Sequence, residues 1–505
     1  MNIEFRASKN GLETCFYNNL PLHSNYNPEK EAEKFVENIS CNYNPQNIIV
    51  TGPCLPYLTK YLNKRFPSAN LIAIQYTSCF EKYDVYWKKV FVVNNNTNSL
   101  IFQEELFNYF GEEELFSSLF ISWKPSENAF ENEYIFTWNC IKSVLDKCKS
   151  IIGTISFFNK TWLYNSLRFY KYTKNYGIIK NISKDVLVTA SGPSLFNQLD
   201  FIKTNRKSFF LLALSSSLTA LVKNQIIPDA ILTTDGGYYA KRHLRILETN
   251  NLFKNIPIII PPEGKINNRL YESNLIIPLI YEDSIDKKIF DNLQEFFLIG
   301  KRNGTVSGTA AELALYLTNK KVYFAGLDLA SSKGHSHTQE NILEIDNSLN
   351  DFKLKSTENR IIPSTFPNGS LEIYRNWFST RDKNFYNRVF RLISPKDKLK
   401  KINNLTDILN TEVKIQHQNK NECFTLEKFN VNTKEHLKKI TNFFILQKNL
   451  IIKEDFTSFD WFKISSYTDF IQYKRENLEN KKNIYDKMKK ESIKLIDEVL
   501  DFLRK

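Results

Sequence analysis

Short apolar runs alternate with longer amphipathic stretches in the first third of the chain. Runs of four to six apolar residues predict buried strands, and apolar residues spaced three or four apart predict helices. The predicted strands are 47–51, 71–76, 90–93 and 119–122, and the predicted helices are 55–66 and 128–148. Because strand–helix alternation is typical of a parallel sheet covered by helices, we predict a Rossmann-like α/β domain over residues 1–155.

The turn after the first strand, 51–55, lies where an open α/β sheet normally binds ligands. It contains one glycine where a dinucleotide-binding loop has three, and the next strand ends near Gln75 rather than at an acidic residue that would bind a ribose. We therefore interpret this domain as non-catalytic, with a structural or partner-binding role, and keep a nucleotide site as the alternative.

A stronger α/β series follows a helical, aromatic-rich connector at 160–180. Its predicted strands are 185–190, 209–214, 229–234 and 321–327, with shorter apolar runs at 257–261 and 275–280, and its predicted helices are 283–297 and 306–317. Right-handed crossovers would join these strands into one doubly wound sheet, so we predict a central catalytic domain over 156–375. Strand signals then end, and Lys-rich amphipathic segments predict a C-terminal helical domain over 376–505.

The composition limits the class of protein. Of the 505 residues, 42% are hydrophobic and 24% are charged, which is a globular balance. The seven cysteines include no C-x-x-C pair, so neither a zinc site nor a disulfide framework is indicated. Since the chain has no apolar run of about 18 residues and no signal-like start, we expect a cytoplasmic protein without a transmembrane segment.

The net charge of +13 is interpreted as a solvated basic surface rather than as a nucleic-acid site. Acidic residues are interspersed among the basic ones, and no basic stretch is interleaved with aromatic residues in the manner of a nucleic-acid site. We therefore predict no nucleic-acid partner, and a modest attraction for acidic ligands such as phosphates or sugar acids stays open.

The segment Ser191-Gly192-Pro193-Ser194 follows a predicted strand and opens a predicted helix. Glycine permits a tight turn and close approach of a ligand, and proline suits the first helical position. The two hydroxyls and the unpaired amides of a helix start attract an anion. The segment is consistent with a phosphate cradle, and an ordinary helix start is the alternative.

Two neighbouring strand ends carry further polar groups. Ser215 and Ser216 follow the second strand, and Asp235 follows the third. Because carboxyl ends of parallel strands meet at one edge of a sheet, we expect these residues beside the same ligand. Asp235 could contact a ribose, orient a base or hold a metal through phosphate, and capping of the next helix is its structural alternative.

The predicted helix at 306–317 begins with small and hydroxyl-bearing residues. They permit close approach of a nucleotide and can hydrogen-bond to it; these residues are Thr305, Ser307, Gly308 and Thr309. The following strand leads to Asp328, and His335 and His337 come soon after. An imidazole is the usual proton acceptor from a hydroxyl near neutral pH. Without cysteine or a second histidine pair nearby, we predict no metal site.

In their order and spacing, these motifs resemble a known family. TASGPSL, IIPDAILTTDGG, GTVSGTAAELALYL and GLDLASSKGHSHTQE, within residues 185–340, are similar to the central domain of the motility accessory factor (Maf) flagellin glycosyltransferases. That domain is shared with MptE-like 6-hydroxymethylpterin diphosphokinases. The same motifs also resemble bacterial sialyltransferases, and NIIVTGPCLPYL resembles the amino-terminal domain of Maf proteins.

The resemblance implies an activity and a set of site residues. Maf proteins transfer a nonulosonic acid of the pseudaminic or legionaminic type from a CMP-sugar to Ser or Thr of flagellin, which supports flagellar assembly and motility. Gly192, Pro193 and Ser194 would then receive the nucleotide phosphate, and Thr309 would line the nucleotide site. We expect His337 to be the base, with His335 as substitute and Asp328 or Asp235 orienting the base or the sugar.

Cofactor and partner expectations follow from this chemistry. The CMP-sugar is the donor and flagellin is the acceptor, no cofactor is required, and Mg²⁺ is allowed but not expected. Two other functions stay open. One is pterin diphosphokinase-like pyrophosphoryl transfer, with Mg²⁺ held by carboxylates such as Asp235. The other is a non-catalytic flagellin-binding assembly factor. The oligomeric state is not indicated by the sequence.

Overall fold

The computed structural model describes residues 3–250, 255–293, 296–330, 335–359, 370–413, 424–454, 459–476 and 478–505. The strands in these residues are β1 Ile3–Ala7, β2 Glu13–Tyr17, β3 Leu20–Pro21, β4 Asn47–Thr51, β5 Asn70–Gln75, β6 Lys89–Val92, β7 Leu119–Ser122, β8 Asn175–Lys180, β9 Asp185–Thr189, β10 Phe209–Leu214, β11 Ala230–Leu232, β12 Ile258–Ile260, β13 Ile276–Tyr281, β14 Leu298–Gly300, β15 Val322–Ala325, β16 Val389–Ile393, β17 Thr406–Leu409 and β18 Thr425–Asn430. The helices are α1 Pro28–Glu37, α2 Tyr57–Arg65, α3 Ser99–Ser117, α4 Lys124–Ala129, α5 Glu131–Tyr172, α6 Leu199–Thr204, α7 Leu218–Lys223, α8 Ala240–His243, α9 Ile246–Thr249, α10 Asn268–Ser273, α11 Ile285–Leu293, α12 Val306–Leu317, α13 Ile342–Ser348, α14 Ser370–Ser379, α15 Lys383–Arg388, α16 Thr433–Ile452, α17 Phe459–Arg475 and α18 Leu478–Arg504.

The chain divides into two compact units, and each is built from two separate stretches of sequence. The first contains Met1–Phe157 and Phe456–Lys494, and the second contains Phe158–Asp455 and Leu495–Lys505. Each unit has a parallel sheet with helices packed on it, so the predicted α/β fold is confirmed. The limits of the two units differ from the predicted limits of 1–155, 156–375 and 376–505.

The first unit contains a parallel sheet of order β6-β5-β4-β7 and a separate antiparallel sheet of order β1-β2-β3. The parallel sheet contains the predicted strands; the central β4 and β5 are buried on both faces, whereas the edge strands β6 and β7 are partly exposed. Its ligand position, at the end of β4, is filled by the protein itself: a Cβ on Gly52 would collide with Ser126 and Tyr76. Gln75 also exchanges two side-chain hydrogen bonds with the backbone of Cys54, at 3.1 and 3.0 Å.

The second unit contains one large sheet of order β17-β16-β15-β9-β10-β11-β12-β13-β8-β18, with β14 paired to β13. β18 runs antiparallel to β8, and the other pairs in this sheet are parallel. The chain proceeds outward from β9 to β13 on one side and later returns to β15 on the other side of β9. The strand order therefore reverses between β9 and β15, and a crevice opens there at the carboxyl ends.

Two expectations about this sheet are wrong. The connector expected to be helical to residue 180 ends its helix at Tyr172 and continues as β8, and three strands lie beyond residue 375. β16 was hidden because a fully buried arginine, Arg391, interrupts its apolar run and pairs with Asp407 of β17 at 2.7 Å. β18 is an edge strand of mixed polarity. The predicted C-terminal helices are present as α16, α17 and α18.

Candidate functional site

Two glycines, Gly192 after β9 and Gly326 after β15, face each other at the crevice between these strands. The amide of Gly192 donates to the carbonyl oxygen of Gly326 at 2.8 Å. A Cβ on Gly192 would lie 2.5 Å from that oxygen, and a Cβ on Gly326 would lie 2.5 Å from the carbonyl oxygen of Ala190. Gly326 also has φ +76°, in the left-handed region. Both positions therefore require glycine, and the two loops form one rigid corner.

Asp328 fixes the turn that was predicted to bind phosphate. Its Oδ2 accepts from the amide of Ser194 at 2.7 Å, and its Oδ1 accepts from the Ser194 hydroxyl. Burial raises the pKa of Asp328, and the two bonds from Ser194 oppose that effect. Because Ser194 is committed to Asp328, this contact positions the turn and leaves neither side chain directed at a ligand.

The amides of the turn are also used within the protein. Pro193 begins a 3₁₀ turn, Pro193–Gln198, rather than an α-helix. The amide of Leu195 donates to the carbonyl of Gly192 at 3.0 Å, and the amides of Gly192 and Ser194 have the partners described above. The expectation that unpaired amides here attract an anion is therefore wrong for these three groups, and the partly exposed Ser191 and Pro193 form the face open to a ligand.

The loop that carries the two predicted imidazoles is attached to the same edge. The amide of Thr338 donates to the carbonyl of Ser191 at 2.6 Å. Asn341, the N-cap of α13, donates from Nδ2 to the carbonyl of Ser216 at 2.6 Å. These two bonds hold the loop on the ends of β9 and β10, so His337 lies next in sequence to a residue bonded to the turn.

Glu344 in the first turn of α13 organises both imidazoles. Its Oε1 accepts from the amide of His337 at 3.0 Å and lies 3.3 Å from Nδ1 of the same residue, and its Oε2 lies 3.4 Å from Nδ1 of His335. Burial by itself would raise the pKa of Glu344, but hydrogen bonds from His337, Ser336 and His335 hold that pKa well below its usual range. Glu344 is therefore an anion at neutral pH.

This arrangement distinguishes the two histidines. Since Nδ1 of His337 faces an ionised carboxylate, it carries the proton, and Nε2 is left as the basic nitrogen. Nε2 of His335 already lies 3.4 Å from the amide nitrogen of Gln339. The side chain of His337 is also the more exposed, at 28% against 19% for His335. His337 is the better placed of the two to accept a proton from a substrate.

A third imidazole, His243, belongs to this cluster and was not found from the sequence. Burial lowers the pKa of His243 to about 4, with further lowering from His337 and Arg242, and Asp235 opposes the shift. α8, which carries His243, is tied to α13 by an ion pair between Arg242 and Asp346 at 2.5 Å. His243 is remote from His337 in sequence and follows no strand directly, so no sequence signal linked the two.

The other strand-end residues lie at the same edge, with different environments. Asp235 is exposed, and its Oδ1 accepts from the amide of Gly237 at 2.7 Å, which is the capping geometry of a tight turn. Ser215 is buried, whereas Ser216 is partly exposed with its carbonyl bonded to Asn341. Of these residues, Asp235 and Ser216 have surface that a ligand can contact.

The start of α12 serves helix packing. A Cβ on Gly308 would lie 2.9 Å from Cβ of Asn303 and 3.3 Å from the ring of Trp377 in α14. Ser307 and Thr309 are buried, and the Thr309 hydroxyl donates to the carbonyl of Lys301 at 3.2 Å. Thr305, at the N-cap position, keeps partial exposure.

The start of α12 is connected to the neighbourhood of the turn at 191–194 through contacts that α14 makes with both. α14, which carries Trp377, also carries Arg375, and Arg375 donates to the carbonyl of Leu329 at 2.7 Å, directly after Asp328. Among the described residues, no hydrogen bond joins 305–309 to 191–194. The predicted sharing of one cleft by these two segments stays a prediction.

A cavity of about 950 Å³ lies at the opposite edge of the large sheet. It is lined by residues 178–183, Leu298 and residues 316–320, which precede β9 and β15 or follow α12. The buried hydroxyl of Thr318 donates to the carbonyl of Ile182 at 2.9 Å, so it is not directed at a ligand. We place the functional site at the carboxyl edge, because the titratable groups converge there.

The described residues show neither a metal-binding group nor a membrane-spanning helix. In the part of the chain that the structure describes, no three His, Cys, Asp or Glu side chains are grouped so as to hold a metal ion. Within the same residues, none of the helices has both the length and the apolar character needed to cross a bilayer.

Comparison with known proteins agrees with the resemblance inferred from the motifs. Residues 160–334 match the family model described as 6-hydroxymethylpterin diphosphokinase MptE-like. A segment of 289 residues is 29% identical to an uncharacterised protein of Treponema pallidum (strain Nichols); it covers 57% of this chain and 62% of that relative, less than two thirds of its length.

A solved structure shares the fold over the whole chain. The Maf glycosyltransferase from Magnetospirillum magneticum AMB-1 aligns with 100% of this chain and 92% of its own, with a TM-score of 0.56 and 11% identity. At that identity the likeness concerns the fold. Residues 160–334 are thus similar to the MptE-like family, within a chain whose fold is like that of the Maf glycosyltransferase structure.

Proposed function

We propose that this protein is a glycosyltransferase that transfers a nonulosonic acid of the pseudaminic or legionaminic type from a CMP-sugar to Ser or Thr of flagellin. The observation that supports this most is His337, held by an ionised Glu344 beside the turn at Ser191. Activation of a hydroxyl requires an oriented general base. The imidazole of His337 is oriented, and it lies next to the crevice where a doubly wound sheet binds ligands. The Maf fold supports the same activity.

The proposed reaction needs one base and a site for CMP. As the bond between the anomeric carbon and the phosphate oxygen breaks, its electron pair leaves with CMP. The acceptor hydroxyl oxygen forms the new bond to that carbon, and its proton passes to Nε2 of His337. Glu344 stabilises the imidazolium that results, as a carboxylate does for other catalytic histidines. Asp328 acts as a positioning residue, because its oxygens are bonded to Ser194.

The remaining assignments rest on the same chemistry. CMP leaves as a stable anion, so we propose that transfer requires neither a cofactor nor Mg²⁺ and survives treatment with EDTA. We further propose a cytoplasmic location and a role in flagellar assembly and motility. Ser191, Ser216 and Asp235 are the polar residues at this edge with exposed surface for the donor.

Replacement of His337 by Ala tests the proposal. We expect transfer of the sugar to purified flagellin, followed by intact-mass analysis, to fall at least 100-fold, because general base catalysis typically contributes that much. The affinity for CMP, measured by calorimetry, should change less than threefold. His335→Ala is the matched control and should keep most of the activity. Full activity of the His337→Ala variant would reject the assignment.

Ligand-dependent stabilisation separates the proposed function from its competitors. A ligand at a hundred times its dissociation constant adds about 2.7 kcal/mol to the free energy of unfolding. Stabilisation by CMP agrees with sugar transfer. Stabilisation by ATP with Mg²⁺, but not by CMP, would replace it by pyrophosphoryl transfer, and the absence of any response would favour a non-catalytic assembly factor.

A further inference from the structure

Three cations from separate parts of the chain surround the turn that follows β11. They are Arg168 on α5, Lys241 on α8 and Lys265 after β12, here called the basic cluster. The amide of Lys265 donates to the carbonyl of Asp235 at 2.9 Å, and the ammonium of Lys241 lies 4.4 Å from the centre of the Tyr238 ring.

Asn165 fixes the position of α5 at this turn. It lies one helical turn before Arg168, and its Nδ2 donates to the carbonyl of Gly236 at 3.0 Å and to that of Glu263 at 2.9 Å. Trp162 completes the contact, since a Cβ on Gly236 would lie 2.6 Å from its ring. These contacts fix α5, and with it the backbone of Arg168, against the turn that follows β11.

The basic cluster carries three positive charges. Among the described residues, none of the three cations has a carboxylate within 4.0 Å. The neighbouring Glu263 is engaged by Arg302 at 2.5 Å. Burial, followed by the charges of Arg168 and Lys241, lowers the pKa of Lys265. Like charges collected at a half-buried position without compensation create a site whose natural partner is an anion.

Through α8 the basic cluster adjoins the imidazoles of His243, His335 and His337, here called the imidazole cluster. This single helical turn carries Lys241, Arg242 and His243 in succession, and they belong in turn to the basic cluster, the ion pair with Asp346 and the imidazole cluster. Two large aromatic side chains, Tyr238 and Tyr239, are 65% and 61% exposed beside it. Cations next to exposed aromatic surface suit a ligand that has both a negative charge and an apolar ring face.

We propose that Arg168, Lys241 and Lys265 bind the carboxylate of the donor sugar, with Tyr239 against the sugar ring. This inference rests on the proposed function and deepens it, because it assigns recognition of the acidic group that distinguishes a nonulosonic acid from a neutral sugar. The phosphate of CMP is the other anion that this chemistry recognises, and the experiment separates the two.

The test compares three probes: CMP-pseudaminate, its carboxyl methyl ester and CMP, each titrated by calorimetry. We expect the wild-type protein to bind the acid about tenfold more tightly than the ester, as one charge-assisted interaction provides. Lys265→Gln and Arg168→Gln should each remove most of this preference and leave the dissociation constant for CMP within twofold. Lys149→Gln, an exposed lysine of the first unit, is the matched control and should behave as wild type.

The outcomes distinguish the two levels of the hypothesis. If wild type transfers the sugar but binds acid and ester equally, the carboxylate site is rejected and the proposed function stands. If Lys265→Gln weakens CMP as much as CMP-pseudaminate, the cluster binds the nucleotide phosphate and the inference is overturned. If wild type binds neither CMP-pseudaminate nor, in a fourth titration, CMP-legionaminate, the proposed function fails, and the inference fails with it.

Discussion

The hydrogen bonds from Ser194 to Asp328 offer a direct measure of how firmly the turn at the end of β9 is held. Ser194→Ala removes the hydroxyl donor and keeps the amide that donates to Oδ2 at 2.7 Å. Asp328→Asn keeps one oxygen that can accept a hydrogen bond from Ser194. It places an NH₂ group, which cannot accept, against the other Ser194 donor. Ser194 and Asp328 are only 4% and 3% exposed, so water cannot easily replace the lost partner.

The expected magnitudes follow from the charge and burial of this contact. A hydrogen bond to a charged group contributes about 1.5–3 kcal/mol, so Ser194→Ala should destabilise the turn by about 2 kcal/mol. Asp328→Asn should destabilise the turn by about 2–4 kcal/mol, because it removes the negative charge and leaves one Ser194 donor facing an NH₂ group. The two effects share one bond, and the double variant should show a coupling of about 1–2 kcal/mol.

Hydrogen exchange followed by mass spectrometry is the suitable assay, because a protein of two units need not unfold in one step. The peptide that spans β9 and the turn should exchange about 30-fold faster in Ser194→Ala, and a peptide of β4 in the first unit should be unchanged. A coupling within about 0.3 kcal/mol of zero would show that Asp328 does not hold the turn through the Ser194 hydroxyl, and its predicted catalytic role would return.

Three further variants test other parts of the structure. Glu344→Gln removes the charge that fixes His337 and should lower kcat about 100-fold with CMP affinity unchanged; a kcat within threefold of wild type would contradict the proposed role. Asp286→Asn tests a buried carboxyl. Burial, and after it the charge of Glu263, raises the pKa of Asp286 to about 7. The stabilisation that its neutral form provides is therefore fully present below about pH 4 and is lost as pH rises through 7. In denaturant titrations the free energy of unfolding of Asp286→Asn should rise by about 3 kcal/mol relative to wild type between pH 5 and pH 8. The same difference from wild type at both pH values would argue against the raised pKa. Gly326→Ala should cost about 2–4 kcal/mol through a backbone clash, whereas Gly304→Ala, with φ +68° and open space, should cost only about 1 kcal/mol; similar midpoints in thermal unfolding would exclude the clash.

The interior of the large sheet was predictable because it is buried on both faces. β9, β10 and β15 are continuous apolar runs bounded by turn residues, and each lies within two residues of its predicted limits. Their parallel order follows from the helices between them. A strand that is nearly all apolar leaves few alternatives once its length is too short for a helix.

The margins of the sheet were not predictable on the same grounds. β8 contains Gly177, where a Cβ would lie 3.0 Å from a backbone oxygen of β18 and 3.0 Å from the side chain of Leu275. β17 and β18 are partly exposed, so their apolar pattern is weak. Their place in the sheet depends on partners far away in sequence, and periodicity within a strand carries no information about such partners.

Part of the candidate site could be proposed from the sequence, and the division has a physical cause. Ser191, Asp235 and His337 were proposed because they follow strands, and parallel strands bring their carboxyl ends to one edge; their roles stay predictions. Glu344 and His243 were missed because they lie on short helices, which are joined by the ion pair between α8 and α13. Asp328 was predicted to orient the base or the sugar, but both of its oxygens are bonded to Ser194.

The carboxyl edge of the sheet separates two kinds of charge, and α8 lies between them. On one side the carboxylate of Glu344 contacts the imidazoles, and on the other side Arg168 and Lys265 carry positive charges close to each other. A base next to uncompensated cations would bind its proton weakly, and an acidic sugar next to an uncompensated carboxylate would be repelled. The proposed transfer of an acidic sugar to a hydroxyl would use both environments. α8 joins them, because it carries Lys241 for one environment and His243 for the other.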